Sequence, residues 1–132
     1  MKRHTQQRSA LTRVIEEAKR PLSPREMHEA LLALVPGAGL ATVYRAIKEL
    51  VEEGWLQPVN VPGEPPRYER ANLPRHHHFL CRACGRLFDL EPLKTPRFVS
   101  LAPKGSVVDE EELVLKGTCA ECAKVAKGDE GA

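Results

Sequence analysis

Two copies of one signature, Cys81-Arg82-Ala83-Cys84 and Cys119-Ala120-Glu121-Cys122, hold all four cysteines of the chain and restrict its fold more than any other feature. Four thiolates satisfy a tetrahedral zinc ion and leave no coordination position open, so such a site is structural rather than catalytic. The pairs are separated by 34 residues, longer than an ordinary zinc-ribbon spacing. A shared ion would therefore pin the end of the chain to the strand that carries the first pair. The basic start MKRHTQQRSALTRV lacks the apolar run of a secretory signal, and no stretch is apolar for long enough to span a membrane. A cytoplasmic protein with reduced thiols is expected, which favours metal over disulfides.

Ahead of the first pair the pattern is helical. In TQQRSALTRVIEEAKR, Leu11, Val14, Ile15 and Ala18 recur at helical spacing. SPREMHEALLAL opens with Ser23, Pro24 and Glu26 in a capping box, and Met27, Ala30, Leu31 and Leu34 form its apolar stripe. Pro36, Gly37 and Gly39 break it, and LATVYRAIKELVEEG gives a third helix burying Leu40, Val43, Ile47, Leu50 and Val51, with Gly54 as a left-handed cap. WLQPVNV and RYERA, joined by PGEPP, predict a hairpin. Three helices and a hairpin make a winged helix. A linker is expected at ANLPR, residues 71–75, dividing the chain into residues 1–72 and 73–132. Beyond it HHHFLC, GRLFDLE and VVDEEELVLKG predict strands, PLKTPRFVSLAPKGS an irregular connection with a short helical turn, and AKVAKGDEGA a short terminal helix.

A helix-turn-helix reads base edges with the N-terminal residues of its second helix. Thr42, Arg45 and Lys48 lie outside the apolar stripe of the third helix and Tyr44 at its border, so these are the candidate DNA contacts, Arg45 foremost. Arg67 and Arg70 on the wing are candidates for phosphate or minor-groove contact. The charge division permits this: residues 1–75 carry 12 Lys and Arg against 9 Asp and Glu, and residues 76–132 carry 8 against 9. Any small helical domain shows charges outside its apolar stripes, so the pattern alone leaves an adaptor that never touches DNA as a second reading.

HHH at 76–78 carries the other candidate site. On a strand His76 and His78 share one face and His77 takes the other. With carboxylates from neighbouring strands, Glu69 and Asp89 being the natural candidates, His76 and His78 could bind an exchangeable divalent ion. The same triplet on a surface strand would equally be solvated.

Taken together, GLATVYRAIKELVEEGWL, RYE, HHHFLCRACGRLFDLE and GTCAECAK, in this order, resemble the ferric uptake regulator family of dimeric bacterial metalloregulators over nearly the whole chain. The resemblance implies an α+β protein: a winged-helix DNA-binding half and a small C-terminal α/β dimerisation half with zinc on Cys81, Cys84, Cys119 and Cys122. It further implies a regulatory Fe2+, Mn2+ or Zn2+ ion between the halves on Glu69, His76, His78 and Asp89. Such a protein is a homodimer that binds double-stranded operator DNA as a metal-responsive repressor. The chain departs from the family in two places. The histidine that many members carry before the second helix is replaced by Arg20 and Pro21, with His28 a nearby substitute. His77 falls where some members place a ligand of a third site, but Thr118, before Cys119, stands where a histidine would complete it, so none is expected. No cysteine follows Glu69 closely, which favours iron, manganese or peroxide sensing over zinc sensing, although the wording around the histidines resembles zinc sensors. A metal-dependent hydrolase is the remaining rival, since the same donors can hold catalytic zinc. No HExxH, nucleophile elbow or phosphate-cradling loop supports it.

Overall fold

Ser23 opens the most fully specified helix of the chain. In the computed structural model, which describes residues 2–73, 77–90 and 98–130, the Ser23 side chain accepts the Glu26 amide at 3.2 Å. The Glu26 carboxylate in turn accepts the Ser23 amide at 3.1 Å. This is the expected capping box, with Pro24 in the first turn. Arg20 closes on the same carboxylate at 2.7 Å. The helix, α2 (Pro24–Leu34), buries Pro24, Met27 and Leu31. Ala30 and Leu34, expected in the stripe, are exposed, so the buried arc of α2 is narrower than its apolar stripe.

The preceding helix, α1 (Lys2–Ala18), buries Leu11, Val14 and Ile15 and stops where Lys19 takes a φ of 54°. Helix α3 (Leu40–Glu52) buries Val43, Ala46, Ile47 and Leu50 and ends before Gly54 at φ 80°. Leu40 and Val51 are only half-buried. These residues, with Leu22, Ala38 and Leu56, form one core. Each fully buried Leu or Met there contributes roughly 1.5–3 kcal/mol. Arg8 of α1 pairs with Glu49 at 3.2 Å and with Glu53, so the acidic end of α3 is directed at α1.

In the turn between α2 and α3, His28 Nε2 donates to the Ala38 carbonyl at 2.8 Å. This bond ties α2 to the chain entering α3. His28→Leu is expected to lower the unfolding free energy of the first unit by about 1 kcal/mol, read by urea titration, because it removes the donor to a buried residue's carbonyl.

After Gly54, strands β1 (Leu56–Val59) and β2 (Arg67–Arg70) pair antiparallel with Gln57 opposite Glu69. Leu22 adds a bridge on the far side of β2, exchanging amide hydrogen bonds with Tyr68 at 2.9 and 2.8 Å. Three helices and this small sheet are the expected winged helix.

The described residues divide into two compact units, Met1–Leu73 and Pro74–Ala132. The second unit holds β3 (His77–Cys81), β4 (Leu87–Leu90), a single 3-10 turn at Val99–Leu101, β5 (Val114–Gly117) and α4 (Ala120–Glu130). β3 is central, antiparallel to β4 and parallel to β5. The strand expected over VVDEEELVLKG is confined to its last residues. Asp109, Glu110, Glu111 and Glu112 are consecutive like charges of poor strand propensity, and they lie in irregular chain. The terminal helix starts earlier than expected, inside the second cysteine pair. Residues 91–97 of the irregular connection, residues 74–75 of the linker and His76 lie outside the described residues. No helix among the described residues is long and apolar enough to cross a membrane.

Candidate metal centres and DNA-facing helix

Strand β3 delivers Cys81 as its last residue, and the chain then turns through Arg82, Ala83 and Cys84 into β4. Gly85 closes that turn at φ 77°, a conformation that an L side chain would strain. Cys119 follows β5 after the single residue Thr118 and Cys122 sits in the first turn of α4, so the parallel β3–β5 pairing brings the second pair beside the first. The four Sγ atoms lie within 4.8 Å of one another, and none is in a disulfide. The Cys84–Cys119 sulfur separation is 3.9 Å. A tetrahedral zinc with bonds of about 2.3 Å needs sulfurs about 3.8 Å apart.

The electrostatics of the set agree with a cation. The amides of Cys84 and Cys119 donate to Cys81 Sγ at 3.4 and 3.3 Å, and these bonds hold the Cys81 thiol down at about 6. The neighbouring Cys119 sulfur, burial, and the Cys81 and Cys84 sulfurs push Cys122 up to about 12. Burial raises Cys84 as well. The Cys81 thiolate is readily formed while Cys84 and Cys122 resist joining it, so a fourfold thiolate set requires positive charge among the sulfurs. The residues present fit a structural zinc.

The remaining candidate ligands belong to different units. In the second unit, the β3–β4 register sets His78 opposite Asp89, with His78 Nε2 and Asp89 Oδ1 3.3 Å apart. His78 is buried and Asp89 exposed. An imidazole nitrogen and a carboxylate oxygen at this distance are donors suited to a borderline divalent ion. His77 is also buried, but its Nδ1 accepts the Leu113 amide at 2.8 Å, fastening β3 to the segment that enters β5. That bond gives His77 a structural task. In the first unit, Glu69 is 5% exposed on β2 and accepts from Gln57 Nε2 at 3.1 Å. Gln57 did not figure among the sequence-derived candidates. His28, considered as a substitute ligand, has its Nε2 committed to Ala38.

On α3, Tyr44, Arg45 and Lys48 are exposed and Thr42 half-buried, with Arg45 Nη2 3.5 Å from Thr42 Oγ1. The helix therefore buries one face and offers a polar one. One of the wing arginines differs from expectation. Arg67 is 6% exposed and holds Glu64 and the Pro65 carbonyl at the hairpin tip. Arg70 stacks on Trp55, 4.4 Å from the ring centroid, and pairs with Glu16 at 3.0 Å. Arg67 is thus turned into its own hairpin, whereas the Arg70 side chain is 42% exposed and stays a candidate for phosphate contact.

The ferric uptake regulator family model matches residues 2–98. The ferric uptake regulation protein of Campylobacter jejuni is 27% identical over 124 residues, covering 91% of this chain and 79% of that one. The zinc uptake regulation protein of Mycobacterium tuberculosis is 27% identical over 122 residues, covering 91% and 94%. Among solved structures, the Helicobacter pylori ferric uptake regulator superposes with a TM-score of 0.65 at 20% identity, covering 89% of this chain and 80% of that one. The family consists of transcription regulators rather than enzymes, which sets aside the hydrolase reading. With the family's model spanning both the winged helix and the first cysteine pair, the chain belongs to the ferric uptake regulator family of metal-responsive transcription regulators.

Proposed function

We propose that the protein is a homodimeric repressor, working in the reducing cytoplasm, whose operator binding is switched on by a divalent metal. The observation that carries this reading is the His78–Asp89 pair, a buried imidazole set 3.3 Å from a carboxylate by strand register alone. Glu69 and His76 complete the proposed ligand set, as family membership suggests, and Cys81, Cys84, Cys119 and Cys122 hold a separate structural zinc. The structural ion supplies charge neutralisation among the sulfurs. The regulatory ion, Fe2+, Mn2+ or Zn2+, supplies a bond that ligands from both units can share.

This chain's residues do the rest. Glu69 belongs to the wing, whereas His78 and Asp89 belong to the second unit. Ligands drawn from both favour those arrangements in which all can engage at once. A ligand shifts an equilibrium only by its differential affinity for two states, and a shared ligand set supplies that difference. In a dimer the selected arrangement sets the spacing of two α3 helices against successive major grooves. Thr42, Tyr44, Arg45 and Lys48 then meet the DNA.

The test is fluorescence anisotropy of labelled duplex DNA, selected from a random pool by the zinc-loaded protein in Mn2+, with and without added divalent metal. Metal-dependent binding is expected; binding indifferent to the second metal, or absent throughout, would exclude the proposal in favour of a constitutive DNA binder or a protein adaptor. In the same assay Arg45→Ala should weaken specific binding by about 1–3 kcal/mol, the value of a bidentate base contact, with a smaller effect on non-specific DNA.

A further inference from the structure

We infer that Gln57 is a positioning residue for the sensing carboxylate, holding one oxygen of Glu69 so that the other is directed to the metal. The inference rests on the proposed role of Glu69 as a ligand, and goes beyond it by assigning a role to a residue outside the ligand set.

The β1–β2 register places the two residues directly opposite. Facing side chains in an antiparallel pair start about 5 Å apart, so the amide spans the gap without distorting either strand. Gln57 Nε2 donates to Glu69 Oε1 at 3.1 Å. Glu69 is 5% exposed, and a buried carboxylate keeps a fixed direction only where donors hold it. The chemistry of the donor matters. A lysine or arginine opposite Glu69 would place a full positive charge where a divalent cation has to approach. A neutral amide orients the same oxygen and leaves the negative charge for the ion. Gln57 is itself half-buried between exposed Pro58 and buried Leu56, so its reach is limited by the strand around it. A partner that orients a metal ligand in this way typically carries a 10–100-fold effect on metal affinity.

The experiment compares the full-length, zinc-loaded wild type with Gln57→Met, Gln57→Val and Glu69→Ala. Each is titrated with Co2+ while the visible absorption bands and the thermal melt are recorded. Met preserves the length of the side chain without a donor, and Val suits a strand should Met pack poorly. The expected result is a 10–100-fold loss of Co2+ affinity in both Gln57 variants and a shifted Co2+ band, with melting that stays cooperative and is lowered by no more than the loss of one hydrogen bond. A packing role would not move the band of a bound ion. Wild-type affinity and spectrum in either folded Gln57 variant, alongside altered values in Glu69→Ala, would overturn the role of Gln57 and leave Glu69 a ligand. Unchanged values in Glu69→Ala would remove Glu69 from the site and this inference with it.

Discussion

Serine at both Cys119 and Cys122 is expected to release the structural zinc and to abolish cooperative unfolding of the second unit. The reason lies in the distribution of the core. Among the described residues, the buried hydrophobic side chains of the second unit are Leu80, Cys81 and Leu87, whereas the first unit buries the whole cluster from Leu11 to Leu56. A unit with so little apolar burial needs another source of stability, and small domains commonly take it from metal. Structural zinc in such settings supplies on the order of 10 kcal/mol of apparent folding free energy. β5 shows the dependence most directly: Leu115 is 47% exposed, and Cys119 follows the strand after the single residue Thr118. Metal analysis and calorimetry of the full-length variant should show about one zinc fewer per chain, with the transition of the helical unit retained. Wild-type zinc content with an unaltered melt would mean that Cys119 and Cys122 do not hold the ion.

Much of this architecture is readable from local chemistry. Ser23, Pro24 and Glu26 cap α2 through contacts within three residues of one another, and Gly54 stops α3 with its own backbone. The cysteine pairs are legible because knuckle geometry is local and tetrahedral valence demands four ligands. What escapes a reading of the sequence depends on partners distant along the chain. Arg67 on the wing reads as a DNA contact until its burial beside Glu64 is seen, while Arg70 stays largely open although Glu16 and Trp55 engage it. The parallel partnership of β3 with β5 needs a crossover whose course no periodicity marks. Gln57 carries no motif at all. Only the observed hairpin register identifies it: counting inward from the PGEPP tip sets Val59 opposite Glu69, whereas the connection also takes in Asn60 and Val61 and brings Gln57 there.

Alanine at His78 and Asp89 together is expected to leave DNA binding at its metal-free level, however much divalent ion is supplied. The pair lies in register on adjacent strands, so removing both deletes neighbouring donors while leaving the β3–β4 backbone ladder in place. Coupling between an effector site and a second ligand is commonly 1–3 kcal/mol, or about 5–150-fold in affinity, and that factor is what the variant should lose. Thermodynamic reciprocity provides an independent check: operator DNA should tighten metal binding to the wild type by the same factor and leave metal binding by the variant unaffected. Zinc content and melting should match the wild type, because the sulfurs are untouched. If the double variant still binds operator more tightly on adding metal, the switch resides elsewhere in the chain. If the wild type shows neither metal enhancement of operator binding nor tightening of metal binding by operator, the two events share no equilibrium, and the proposed control of α3 by Glu69, His78 and Asp89 fails on energetic grounds.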